Sequence, residues 1–134
     1  MAYLLDTNIC VYVIRGRRQE VLARFAQHAL ADLIVSSVTA AELYFGIEKS
    51  DYREDNLTVL DSFLAPLVMA PFDGAAARVY GRIRVDLERR GLPIGPLDLL
   101  IAAHALSLDA VLVTNNVREF ARVPGLRLEN WADA

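Results

Sequence analysis

Apolar residues follow two spacings along this chain, and the spacing switches repeatedly. Short runs that are apolar almost without interruption occur at Tyr3–Leu5, Leu33–Ser36, Leu67–Met69 and Ala110–Val113, with a last candidate at Leu126–Leu128. Runs that are continuous rather than alternating suit strands covered on both faces. Between them apolar positions recur three or four apart, the helical period. Ile9–Arg15 predicts a helix closed by Gly16 and the basic pair Arg17–Arg18. Gln19–Ala31 predicts a second, with Val21, Leu22, Phe25 and Ala29 on one face. Thr39–Lys49 and Asn56–Leu64 predict two more. Asp73 opens a long helix through Arg90, with Gly91 as the residue just past its end. The stretch "GLPIGP" is a loop, and Pro96 opens a helix through Leu108 as its first residue.

Strands alternating with helices pair in parallel through right-handed crossovers, and the natural product is a three-layer α/β/α sandwich. Repeats, low-complexity tracts and linkers are not evident, so residues 1–134 are expected to form one domain. In open parallel sheets the functional crevice lies beyond the carboxyl ends of the strands. Asp6 and Thr114 both stand at such ends.

Composition changes the picture in three places. Apolar residues make up 54% of the chain, which implies helices buried on several sides plus a subunit or partner surface. The single cysteine, Cys10, cannot form an internal disulfide, which fits a reducing, cytoplasmic setting. Asp6 interrupts the first apolar run too early for a secretory leader, and no apolar stretch is long enough to span a bilayer. The net charge of −3 by itself argues against a nucleic-acid partner. Lys49 is the only lysine, however, and every other cation is an arginine, the side chain suited to bidentate phosphate contacts. Composition bias on a solvated surface gives the same pattern.

Candidate chemistry rests on acids, and each has a structural alternative. Asp6, in "LLDTN", suits an N-cap, although Thr7 and Asn8 meet that need too. Glu42 follows Thr39 at capping-box spacing. Asp98 falls in a first helical turn, where the macrodipole favours it, yet it shares a face with Ile101, Ala102 and Ala105. Asn116 and Glu119 repeat the capping-box spacing. Together the acids look different. Parallel strands bring Asp6, Glu42, Asn116 and Glu119 toward one sheet edge, where carboxylates repel unless a cation joins them. Oxygen ligands without Cys or His suit Mg²⁺ or Mn²⁺. His104 and Asp98 point to different helix faces, so His104 reads as a core or interface residue, and His28 reads as an isolated surface residue. Cys10 has no visible base partner, and there is no phosphate-cradling glycine motif.

Four ordered blocks, "LLDTN", "SSVTAAELYFGIEKS", "GLPIGPLDLLIAAHA" and "VTNNVREFARVPGLRLENW", resemble a PIN-domain ribonuclease, and within that superfamily the VapC toxins of bacterial type II toxin–antitoxin systems. The resemblance covers essentially the whole chain. It implies a central five-stranded parallel sheet flanked by helices. It implies that Asp6, Glu42 and Asp98 form an acidic triad holding Mg²⁺ or Mn²⁺. Where many PIN domains carry a fourth acid, this chain has Asn116, with Glu119 nearby as a possible outer ligand. That departure resembles a VapC subgroup acting on initiator tRNA in the anticodon stem-loop. Partners implied in the same way are a VapB-type antitoxin and a second copy of the chain, as a homodimer or a toxin–antitoxin hetero-oligomer, with no membrane.

The expected reaction is metal-dependent hydrolysis of an RNA phosphodiester, leaving a 5′ phosphate and a 3′ hydroxyl as similar enzymes do. Thr114 and Asn116 are expected as supporting or substrate contacts, and Arg15, Arg17, Arg18 and Arg118 as RNA contacts. Three rivals compete. A haloacid-dehalogenase-like phosphohydrolase needs a second acid two residues after the first, and here that residue is Asn8. A receiver-like signalling module needs a lysine after a late strand, but Lys49 falls early. A catalytically inactive PIN-like RNA- or protein-binding module is disfavoured by the intact triad.

Overall fold

Five short strands, β1 (Tyr3–Leu5), β2 (Leu33–Ser36), β3 (Val68–Ala70), β4 (Val111–Val113) and β5 (Leu128–Glu129), form one sheet in the order β3-β2-β1-β4-β5. This arrangement comes from a computed structural model that describes residues 1–132. Every pairing is parallel, with Tyr3 beside both Leu33 and Val111 and Leu5 beside Val113. The helices are α1 (Thr7–Arg15), α2 (Gln19–Ala26), α3 (Ser37–Glu48), α4 (Arg53–Leu64), α5 (Gly74–Arg89), α6 (Pro96–Ser107) and α7 (Val117–Phe120).

The two-residue period of the strands divides the core. Leu5, Leu33, Val35 and Val113 project to one face and pack with residues of α1 to α4, among them Ile9, Val21, Leu43 and Leu60. Leu4 and Leu112 project to the other and meet Ile83, Leu87, Ile101 and Phe120 from α5, α6 and α7. Both faces are covered, which is why the strand runs read as continuous apolar segments. The sheet is therefore the middle of three layers, as the alternation of elements implies.

Boundaries depart from the sequence reading for identifiable reasons. Helix α1 starts two residues early, at Thr7, because Asp6 itself caps it by accepting the Ile9 N–H at 3.0 Å. Helix α2 stops at Ala26 rather than Ala31, and Leu30–Asp32 is a separate 3-10 turn. The break lets His28 turn inward. Its ring lies parallel to Trp131 at 4.9 Å and 4.4 Å from Tyr3, so it is a half-buried stacking residue rather than an isolated surface one. Helix α4 begins at Arg53, with Glu54 and Asp55 in its first turn where the macrodipole favours acids. Strands β3 and β5 run one to two residues later than the apolar runs suggest, and α7 is an additional short helix. Asp73 caps α5, Gly91 just past its end adopts φ +66°, and Pro96 is the first residue of α6, as the sequence indicates.

Candidate functional site

Strand order reverses between β1 and β4: the chain proceeds from β1 toward β2 on one side, while β4 lies on the other. A crevice opens at such a switch point beyond the carboxyl ends. Asp6 leaves β1 at this point, and its own N–H is held by the Val113 carbonyl at the end of β4. Its side chain is buried. One carboxylate oxygen accepts the Ile9 N–H, and the other accepts the Thr114 hydroxyl at 2.5 Å. Asp6 is thus both a cap and a fixed carboxylate. Burial, followed by repulsion from Glu42, outweighs these hydrogen bonds and raises its pKa above the ordinary aspartate value.

Thr114 is fully buried, and its hydroxyl also accepts the Asn116 N–H at 2.9 Å. Its place is behind Asp6, away from solvent. Glu42 lies in the second turn of α3. Ser36, not Thr39, caps that helix, so the capping box expected for Thr39 and Glu42 does not form. Glu42 instead accepts the Thr7 hydroxyl at 2.8 Å, which draws it toward Asp6's own helix. Phe45, farther along α3, is 66% exposed.

Asp98 sits in the first turn of α6, half-buried. Its carboxyl pKa is pushed up to about 6 by burial and then by the charges of Glu119, Asp6 and Glu42, in that order. Those three neighbours show that the fold brings all four acids within electrostatic reach. Glu119 does not complete a capping box with the Asn116 backbone. Its two oxygens accept the Gly95 N–H and the Asn116 side-chain N–H, each at 2.7 Å. A side chain at Gly95 would place its Cβ 3.6 Å from Asp98 Oδ2 and 3.7 Å from Glu119 Oε1, so both carboxylates lie over that glycine. Among the described residues, none of these four acids takes part in an ion pair.

The arginines are less concentrated. Arg15 lines a cavity of about 400 Å³ between α1, α3 and α4 that also takes in Thr7, Glu42 and Lys49. Arg17 and Arg118 are exposed. Arg18 lies over the Tyr12 ring at 5.1 Å and 3.8 Å from Glu20. Sequence reasoning misses Thr7 and Gly95. Thr7 could be found from the redundancy of three capping residues in "DTN". Gly95 carries no local signal, because its role depends on a partner 24 residues away.

The donors are hard oxygens, unpaired, with two raised pKa values. As the side chains stand, no three acids among the described residues close around one point tightly enough to hold an ion. A small divalent cation does not require that, since Mg²⁺ takes one or two carboxylates and keeps several waters. The chemistry of this donor set, carboxylate oxygens with none in an ion pair among the described residues, fits such an ion.

Residues 3–126 match the PIN domain family. The chain is 48% identical over 131 residues to ribonuclease VapC2 of Haemophilus influenzae, covering 98% of each. It is 44% identical over 132 residues to a tRNA(fMet)-specific endonuclease VapC of Shigella flexneri, covering 98% of this chain and 99% of that one. A crystal structure of VapBC2 from Rickettsia felis bound to a DNA fragment from its promoter superposes with a TM-score of 0.90 at 44% identity, covering 98% of this chain and 99% of that one.

Proposed function

Because the chain belongs to the PIN-domain family, as one of its VapC ribonucleases, we propose that it is the endoribonuclease toxin of a type II toxin–antitoxin module, cleaving initiator tRNA. The observation that carries this is the convergence of four acids at the β1/β4 switch point, none of them in an ion pair among the described residues. Residues 1–134 act as one PIN domain, in the cytoplasm, held in check by a VapB-type antitoxin.

Asp6 and Asp98 would hold a divalent ion, Mg²⁺ or Mn²⁺, with Glu42 as a further ligand or as the group that orients the attacking water, and Glu119 as an outer group. When bound, the ion lowers the pKa of a coordinated water and neutralises charge on the phosphoryl oxygens. Every other part falls to the chain's own residues. Thr114 holds Asp6 in one orientation by donating to its Oδ2. Thr7 fixes Glu42 Oε1 and leaves Oε2 as the acceptor for a proton of the attacking water. Asn116 and the Gly95 N–H keep Glu119 beside Asp98. Phosphoryl transfer asks mainly for positioning and electrostatics, so the absence of a Ser or Cys nucleophile from this set is no obstacle. Arg15, Arg17, Arg18 and Arg118 grip phosphates flanking the scissile one, which reconciles an acidic protein with an RNA substrate.

Incubation with total tRNA in Mg²⁺ or Mn²⁺, followed by end sequencing, tests the reading. A few discrete cuts in the initiator anticodon stem-loop, abolished by chelator, are expected. Uniform degradation that persists in chelator would refute it, and a bound ion with no cleavage would favour the inactive binding module.

A further inference from the structure

His104 takes no part in the mechanism above, yet it is 1% exposed in the middle of α6. Its Nδ1 lies 2.8 Å from the hydroxyl of Ser36, the last residue of β2. That same hydroxyl caps α3 by accepting the Val38 N–H. Phe72 meets the imidazole edge-on at 5.4 Å, and its N–H donates to Ser37, the first residue of α3. One imidazole therefore joins α6 to the N-terminus of α3 and to the segment after β3.

The two helices bound by this contact carry two of the acids. Glu42 lies six residues after Ser36, and Asp98 lies six residues before His104. At 1.5 Å per residue each acid sits about 9 Å along its helix from the brace. Ser37, Val38, Ala41, Glu42 and Phe45 of α3 and Leu97 of α6 line an open cleft of about 440 Å³ that runs from beside the brace to Glu42. Glu42 and Asp98 stand on the two helices that the brace joins, so a shift at Ser36–His104 moves one acid relative to the other. Burial, opposed by the Asp73 carboxylate and the Pro71 carbonyl, lowers the imidazole pKa. The Ser36 hydroxyl at Nδ1 is the side-chain partner that holds the ring.

We propose that His104 is a positioning residue: its hydrogen bond to Ser36 sets the spacing of α3 and α6 at which Glu42 and Asp98 serve one divalent ion. This rests on the nuclease reading only in naming the ion. Residues that orient metal ligands from behind are typically worth about 10- to 100-fold in metal affinity.

The test is calorimetric titration of the metal-free protein with Mn²⁺, beside thermal melting and tRNA cleavage. His104→Leu keeps the bulk and loses the hydrogen bond. It is expected to bind Mn²⁺ about tenfold more weakly. His104→Asn restores a polar atom where Nδ1 stands, and should recover most of that loss. Ser36→Ala removes the other partner and should weaken binding as His104→Leu does, so the proposal stays testable if the leucine variant does not fold. A purely structural role would lower the melting temperature and leave Mn²⁺ affinity unchanged. Wild-type affinity in His104→Leu or Ser36→Ala overturns the proposal, as does an asparagine variant that binds no better than the leucine one. Wild-type protein that binds Mn²⁺ but cleaves no tRNA would defeat the nuclease reading, while the affinities would still decide for or against the brace.

Discussion

Asp6→Asn is expected to lower tRNA cleavage about 10³-fold, the size of effect seen when a key electrostatic group is removed from a reaction centre, while leaving the fold intact. Asparagine caps helices as well as aspartate does. Its amide oxygen can still accept the Ile9 N–H and leave the Thr114 hydroxyl a partner. The sign of the stability change follows from the raised pKa of Asp6. A carboxyl raised on folding contributes stability that is present below its unfolded pKa and is lost as pH rises through its folded one. At neutral pH that loss is in force, so replacing the charge with a neutral amide should leave the metal-free protein at least as stable as wild type. Melting curves and cleavage rates measured on one preparation separate the two effects. Full activity, or a variant that cannot fold, would contradict the role given to Asp6.

The second large effect concerns stability. Trp131→Ala should destabilise the protein by about 3–5 kcal/mol, read by denaturant unfolding. Trp131 is fully buried in the cluster on the α1–α4 face. Its ring stacks on His28 and lies 5.9 Å from Tyr3, and Arg24 sits over it at 5.8 Å. Its indole N–H donates to Glu129, which also pairs with Arg24 at 3.0 Å. The substitution therefore leaves a cavity and removes both the hydrogen bond to Glu129 of β5 and the ring beneath Arg24 of α2. There is a route to the site as well: the Glu129 carbonyl accepts the Thr114 N–H, and Thr114 orients Asp6. A loss below about 1 kcal/mol would mean that the neighbouring segments collapse into the space.

The layers and the sheet edge are readable in the chain because they depend on local pattern. Strand runs of three or four apolar residues imply burial on both faces, and Asp73, Gly91 and Pro96 mark helix ends with their own chemistry. Asp6 stands out because it follows a strand directly. What lies beyond local pattern is who holds whom. Thr7 and Glu42 are 35 residues apart, Ser36 and His104 are 68 apart, and Asp6 and Thr114 are 108 apart. The capping-box reading of Glu42 fails for the same reason. Spacing alone allows a local bond to Thr39, but Ser36 already caps the helix, and a hydroxyl from another element offers Glu42 a partner. Helix α2 ends early, and the break gives His28 two aromatic neighbours that periodicity within the helix cannot reveal.

The claim that the acids at the sheet edge share a divalent ion is tested most directly by titrating metal-free protein with Mn²⁺ at pH 5.0 and pH 7.5. With the Asp98 carboxyl raised to about 6, most of the protein carries a proton there at the lower pH, and the ion must displace it. Wild type should bind Mn²⁺ about tenfold more weakly at pH 5.0 than at pH 7.5, and Asp6→Asn should not bind measurably at either. Absence of binding by wild type at pH 7.5, or equal binding by Asp6→Asn, would contradict the account.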